Sequence, residues 1–294
     1  MTDVAARTDP GLRRERNEDR WLARTVAGVT LIAVADGVGG EAGGEIASTA
    51  AVEALAKTFA PPSFRESARS ALASAVQQAN TAVLEAAKDE RFRRAATTLV
   101  TAAIRGQEAA IANLGDSRAY LVRGQAIRQL TTDHSGDAAS SITRFLGDPR
   151  GVQPDIFVET LQPADRLVLC SDGLTRHVTD PEIASAMAQD PSRAADALIA
   201  LARSRGGEDN ITVIVYAAKR PAVSRALAGT LILALLILVA IAGAMGALLA
   251  TPIPTAAPSA SPTAPASATA SASVSPSPTE TPSPSVTAAP SASP

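Results

Sequence analysis

An α+β layered domain is predicted for the first 218 residues, on three features of the chain. A pair of helical stretches rich in Ala and Leu separates an early buried strand from the later ones. A meander of short apolar runs with Gly-containing turns follows. A second helical pair then precedes one last strand.

Taken in order, Val29–Ala35 is a short continuous apolar run that ends at the turn-forming pair Asp36-Gly37, so it is predicted as a buried strand. Glu45–Phe59 and Arg65–Ala87 are predicted helices. Thr97–Ile104, Glu108–Asn113 and Arg118–Val122 are predicted strands, as are Ile156–Leu161 and Arg166–Cys170. Pro181–Ala188 and Ser192–Ala202 are the late helix pair, and Ile211–Tyr216 the final strand.

The 294 residues carry 27 Lys and Arg against 29 Asp and Glu, a net charge of −2, which offers no basic surface for nucleic acid. A domain of roughly 215 residues is large enough to bury a sizeable core. The single cysteine, Cys170, cannot form an internal disulfide and lies within the apolar run Leu167–Cys170, where it is expected to pack as a small core residue. The first residues are polar and lack a signal-peptide pattern.

Beyond this domain the composition changes twice. Residues 219–225 form a basic linker with Lys219, Arg220 and Arg225. Ala226–Ala250 contains no charge, and as a helix of about 37 Å it would cross a ~30 Å hydrocarbon core with some tilt. The positive flank precedes the span and no Lys or Arg follows it, so residues 1–218 are expected in the cytoplasm and the tail outside, a single-pass cell-membrane topology. Residues 251–294 are almost wholly Pro, Ser, Thr and Ala, with Glu280 their only charge, and are expected to be disordered. Such a segment suits an O-glycosylated or wall-crossing spacer, or equally an unmodified linker.

The chemistry lies in acidic residues at the ends of apolar runs and in adjoining turns: Asp19, Asp36, Asp116, Asp172 and Asp209. Gathered at one cleft, such carboxylates repel one another unless cations neutralise them. Hard oxygen ligands with only two histidines in the chain favour Mg²⁺ or Mn²⁺ over Zn²⁺. Each Asp-Gly alone is an ordinary turn signal; the order and context of the set carry the case.

That set resembles the bacterial branch of the metal-dependent protein phosphatases (PPM type, also called type 2C) over residues 7–217. Gly11-Leu12-Arg13-Arg14 with Asn17-Glu18-Asp19 is similar to the family's opening motif, and Ala35–Gly40 with Gly44–Ser48 to its second. Thr97-Thr98, Asn113–Arg118 and Leu130–Ser135 are similar to the middle motifs; Ser171–Leu174 and Asp209–Val213 to the last two. The resemblance implies a four-layer αββα sandwich of two antiparallel sheets flanked by helix pairs. It implies hydrolysis of phosphoserine and phosphothreonine in proteins by water activated at a binuclear Mn²⁺ or Mg²⁺ centre. It also implies phosphoprotein partners, Ser/Thr kinases and their substrates among them.

Carried over position by position, the resemblance makes Asp36 and the carbonyl of Gly37 metal ligands, completed by Asp172 and Asp209. Asp116, with Asp172, would form a weak third metal site. Glu18 and Asp19 would hold metal-bound waters, Asn210 would support the final loop, and Arg14 would grip the substrate phosphate. A guanidinium suits that task because its planar fork binds phosphate oxygens in pairs; the alternative for Arg14 is a solvated charge in an Arg-rich stretch that Arg13 and Arg16 flank, and its spacing to Asp19 favours the phosphate.

The chain departs from the family pattern twice. Val38 stands where some members have a histidine. Only Gly136–Ser141 separate His134-Ser135 from Ile142-Thr143-Arg144-Phe145-Leu146-Gly147, where the family usually has a much longer flap. That loss supports one rival reading, a catalytically weak phosphopeptide-binding protein on the same fold. His134 is expected to make a structural hydrogen bond at the flap root, and His177 to be structural or exposed. Ser171 has no base partner for a serine-hydrolase triad.

Overall fold

The run from Val29 to Ala35 is buried on both faces. Leu31, Ala33 and Ala35 enter one core while Ile32 and Val34 enter another, the alternation a strand imposes. A strand apolar on both faces must be covered on both, and the molecule is layered accordingly.

The computed structural model describes residues 4–39, 43–60, 65–136, 142–218 and 237–242. Its elements begin with β1 (Val4–Asp9), β2 (Arg20–Val26), β3 (Val29–Ala35), β4 (Gly37–Val38), α1 (Gly43–Thr58) and α2 (Arg65–Ala86). There follow β5 (Ala96–Thr97), β6 (Leu99–Arg105), β7 (Glu108–Leu114), β8 (Arg118–Arg123), β9 (Ala126–Gln129), β10 (Asp155–Thr160) and β11 (Arg166–Cys170). The last are α3 (Asp172–Thr175), α4 (Asp180–Ala186), α5 (Pro191–Ser204) and β12 (Ile211–Ala217).

Two antiparallel sheets run in the orders β1-β12-β11-β8-β9 and β10-β7-β6-β3-β2. Three cores hold four layers together. Leu55 of α1 and Leu72, Val76 and Val83 of α2 pack on Leu31 and Leu99 of the second sheet. Ile32, Val100 and Ile111 meet Leu121, Leu169 and Ile214 between the sheets. Val168, Val213 and Val215 meet Ile183, Ala195 and Leu198 under α4 and α5. The predicted α+β class with two antiparallel sheets is what the structure shows. Cys170 is fully buried among these residues, and burial pushes its thiol up to about 12, as a packing residue requires.

Several elements differ from expectation. Val4–Asp9, Arg20–Val26 and Ala126–Gln129 were not predicted as strands; all three lie at sheet edges, where one face keeps its Arg, Thr and Gln in water. The predicted strand Thr97–Ile104 is interrupted at Thr98, whose N–H donates to Asp36 O at 2.9 Å and whose Oγ1 accepts from Asp36 N at 3.0 Å. The turn expected at Asp172 is the start of the four-residue helix α3.

The chain divides into two units, Met1–Arg225 and Ala226–Pro294. In the second, only 237–242 are described; they are helical, with Ile237, Leu238, Val239 and Ile241 exposed. Among the described residues no helix is long and apolar enough to cross a membrane. The rest of the proposed span, the basic linker and the tail lie outside the described residues.

Candidate metal centre

Both sheets deliver residues to one end of the sandwich. There β3 and β11 end while β2, β8 and β12 begin, as the pairs Arg20 with Ala35, Arg118 with Cys170 and Cys170 with Val213 show. Asp36 follows β3, Asp116 precedes β8, Asp172 opens α3 and Asp209 precedes β12. These four, with Arg14, Glu18 and Gly37, line one cleft of about 270 Å³ that Val38, Gly39, Ile142 and Arg176 complete. Of the residues predicted for the site, Asp19 and Asn210 alone do not line it.

Tight backbone packing shapes this end. Gly37 lies so close to α1 that a Cβ there would stand 2.2 Å from Gly44 O and 2.8 Å from Glu18 O, so only glycine fits. Gly11, at φ +79°, turns the opening loop against the loop before β12; a Cβ would fall 2.2 Å from Asp209 O. Asn210 ties the same loop. Its Oδ1 accepts from Glu18 N at 2.7 Å, and its Nδ2 donates to Pro10 O at 3.0 Å and Arg16 O at 2.8 Å. The structure thus shows Asn210 clamping the segment that carries Arg14 and Glu18.

Asp19 sits behind the cleft, 1% exposed. Its Oδ2 accepts from Ser171 Oγ at 2.7 Å, and its Oδ1 has no hydrogen-bond partner among the described residues. Oδ1 of Asp116 and Oδ1 of Asp172 are likewise buried without a partner. An unsatisfied buried carboxylate oxygen is costly, and three at one end of a sandwich call for a ligand. The electrostatics agree. Burial pushes Asp19 up to about 7 and Asp116 up to about 6. Asp36 is held well above the usual carboxylate range by burial and then by the charges of Asp19, Asp172, Asp209 and Asp116. Burial also raises Asp172, against the pull of Arg176, and raises Glu18.

Two arginines meet part of this charge. Arg14 binds Asp209 with both arms of its fork, Nε to Oδ1 at 2.8 Å and Nη2 to Oδ2 at 2.9 Å. Arg176 donates through Nη2 to Asp172 Oδ2, and its Nη1 lies 3.5 Å from Asp209 Oδ2. Among the described residues no three His, Cys, Asp or Glu side chains are gathered tightly enough to hold one ion as they stand. The unpartnered oxygens of Asp19, Asp116 and Asp172 and the mutual repulsion around Asp36 nonetheless fit divalent cations, because a hard cation takes oxygen ligands and offsets the clustered negative charge. Sequence reasoning missed Arg176; its signal was the four-residue spacing from Asp172.

A sequence profile for protein phosphatase 2C matches residues 13–209. The chain belongs to the protein phosphatase 2C family. It is 35% identical over 234 residues to the serine/threonine phosphatase stp of Listeria monocytogenes, covering 71% of this chain and 93% of that protein. It is 33% identical over 236 residues to the protein phosphatase PhpP of Streptococcus pneumoniae, covering 72% and 95%. The crystal structure of the Mycobacterium tuberculosis serine/threonine phosphatase PstP/Ppp superposes with a TM-score of 0.67 at 33% identity, covering 74% of this chain and 98% of that one. A structure of the PstP catalytic domain in complex with two manganese ions matches with a TM-score of 0.66 at 33% identity, covering 74% and 98%.

The two histidines of this family member stand outside its cleft. His134 is 7% exposed; its Nδ1 accepts from Gly115 N at 3.0 Å and its Nε2 lies 3.0 Å from Asp155 Oδ2. That is the structural hydrogen bonding expected at the flap root. The root is closed, since Ser135 bridges to Ile142, and Thr143 N donates to His134 O at 2.8 Å. Residues 137–141 lie outside the described residues. His177 is half-buried, with Nε2 3.5 Å from Glu208 N.

Proposed function

We infer that this cleft removes phosphate from phosphoserine and phosphothreonine in proteins with the help of Mn²⁺ or Mg²⁺. The observation that carries this reading is the convergence of Asp36, Asp116, Asp172 and Asp209 on one cleft, with buried carboxylate oxygens that no described residue satisfies. The rival reading, a phosphopeptide binder without turnover, has less support, because such a protein has no use for costly unpaired carboxylates.

We assign the cation ligands to Asp36, the Gly37 carbonyl, Asp172 and Asp209, with Asp116 and Asp172 at a weaker third position. Glu18 and Asp19 are assigned to the waters around them, and Asn210 to holding the loop that brings Glu18 and Arg14 to the cleft. When bound, the cations supply positive charge that acidifies a water and shields the phosphoryl group. Arg14 orients the phosphate through its fork, exchanging Asp209 for phosphate oxygens as substrate enters. Val38, 44% exposed at the rim, has no proton to donate, and we assign the leaving group's proton to water.

Residues 1–218 are proposed as the catalytic domain, 219–225 as a basic linker, 226–250 as a membrane span and 251–294 as an extracytoplasmic tail, which places the phosphatase at the cytoplasmic face. Support comes from the uncharged run and its one-sided positive flank. Phosphorylated kinases and their substrates are the proposed partners. The closing experiment is phosphopeptide hydrolysis by the full chain, stripped with EDTA and then given Mn²⁺. Recovery of turnover with the metal is expected; full activity in chelator, with no metal retained, would overturn the reading.

A further inference from the structure

We propose that Arg176 is an internal counter-charge that competes with divalent cations for Asp172 and Asp209, and so sets how tightly the cleft takes its metal. The inference rests on the reading of the cleft as a metal centre.

Arg176 is placed by local structure. It caps α3, and its N–H donates to Asp172 O at 2.9 Å, so the backbone holds it one turn beyond the carboxylate. Residues four apart on a helical turn share a face, and the guanidinium therefore folds back onto Asp172. It reaches Asp172 Oδ2 with Nη2 and approaches Asp209 Oδ2 with Nη1 at 3.5 Å. One cation of the protein thus lies across two carboxylates that come from different elements and line the same cleft.

The fit is incomplete. Arg176 takes one oxygen of Asp172 and leaves Oδ1 buried and unpartnered. It shares Asp209 with the fork of Arg14. Other arginines away from the cleft differ. Arg118 binds both oxygens of Asp133 at 2.7–3.0 Å, and Arg123 binds both oxygens of Asp165 at 2.7 and 3.0 Å. Those pairs are closed. The Arg176 contact is open: it takes one oxygen of Asp172 and only approaches Asp209, so little holds the guanidinium from solvent.

A guanidinium keeps its charge at every relevant pH. A cation entering the cleft must therefore displace Arg176 from Asp172 and Asp209 or bind beside a like charge. Removing that charge favours the metal. A residue that only stabilised α3 would act in the opposite direction, because its loss would loosen Asp172 and weaken metal binding. The sign of the effect separates the two roles.

The test is Mn²⁺ binding by the full chain, without substrate, read from the free Mn²⁺ signal in electron paramagnetic resonance. The comparison is between the native protein, Arg176→Gln and Arg176→Lys. Arg176→Gln should bind Mn²⁺ roughly three- to tenfold more tightly, a modest factor because the pair is partly solvated. Arg176→Lys should fall between the two, since it keeps the charge and loses the fork. In chelator Arg176→Gln should melt below the native protein, and saturating Mn²⁺ should close the gap. Equal or weaker Mn²⁺ affinity in a folded Arg176→Gln overturns the proposal; if that variant does not fold, equal or weaker affinity in Arg176→Lys does so. Native protein that binds no Mn²⁺ overturns instead the metal-centre reading beneath it.

Discussion

Two clusters of buried polar side chains meet at Gly115-Asp116, and they have opposite characters. On one side, Asp116 joins Asp36, Asp172 and Asp209, with Asp19 behind them; three oxygens of this set find no partner. On the other side, His134 accepts from Gly115 N, its Nε2 meets Asp155 Oδ2 at 3.0 Å, and Arg144 Nη1 donates to Asp155 Oδ1 at 2.9 Å. Nearby, Asn80 Oδ1 accepts from Gly147 N at 2.7 Å while its Nδ2 donates to Asp148 O at 3.2 Å. Among the described residues the second cluster is closed but for Oδ1 of the adjoining Asn113, and it fixes the root of the short loop between Ser135 and Ile142. The first is incomplete without something from outside. Buried polar groups that satisfy one another mark architecture; those left over mark a ligand.

The largest effect should come from breaking the incomplete cluster. Asp36→Asn should abolish turnover, a loss beyond the roughly 10–100-fold typical of residues that only support metal ligands. Its fold should hold, because burial and four neighbouring carboxylates already disfavour the Asp36 charge in the metal-free protein. Steady-state hydrolysis and a melting curve in chelator check both halves; measurable turnover at more than a tenth of the native rate would remove Asp36 from the centre.

Breaking the closed cluster should cost stability first. His134→Ala leaves Gly115 N–H and one face of Asp155 without their partner, at about 2–3 kcal/mol. Mn²⁺ affinity should change much less than stability, since no atom of His134 lines the cleft. Urea denaturation beside a Mn²⁺ titration gives the comparison. A large loss of metal affinity with unchanged stability would place His134 on the wrong side of the divide.

The two clusters were unequally legible in the sequence. Most of the acidic set could be read because its members end or adjoin a strongly apolar run, as Asp36 does after Val29–Ala35 and Asp209 before Ile211; Asp19 stood out only with Asn17 and Glu18. The central strands could be read for the same reason. Edge strands β1 and β2 could not, because Val4–Asp9 and Arg20–Val26 alternate apolar residues with Arg and Thr over too few positions to stand out. The break at Thr98 left no mark in composition; it exists because Asp36, distant in sequence, uses the Thr98 amide and hydroxyl. Arg176 looked like an ordinary charge in Thr-Arg-His-Val. Its place follows only once the helix is seen to begin at Asp172, which sets Arg176 one turn beyond that carboxylate. Asn210 was assigned to its own loop, whereas its bonds to Pro10 O and Arg16 O are long-range and invisible to local pattern.

The smallest expected effect is a difference in pH response between the clusters. In the metal-free protein Asp19 and Asp116 titrate at about 7 and about 6, above the ordinary 3.8, chiefly because burial disfavours their charge. Between about pH 4 and 7 the native state therefore binds more protons than the unfolded chain, and stability must fall as pH rises through that window. Asp155 is the reverse. Burial would raise it, but hydrogen bonds from His134 and Arg144 prevail and hold it below 3.8. Its contribution is present above the unfolded value and is lost as pH falls below it. In chelator the melting temperature should thus peak near pH 4–5 and decline toward pH 7, the direction that both raised carboxyls require. Saturating Mn²⁺ should flatten the decline above pH 5, because cations then carry the charge that burial opposes. It should leave the acid side unchanged. Asp155→Asn should flatten the acid side alone. Melting curves across this range in EDTA and in Mn²⁺ separate the two limbs, and a melting temperature that climbs from pH 5 to 7 in EDTA would mean that the carboxylates of the cleft are already satisfied by the protein itself.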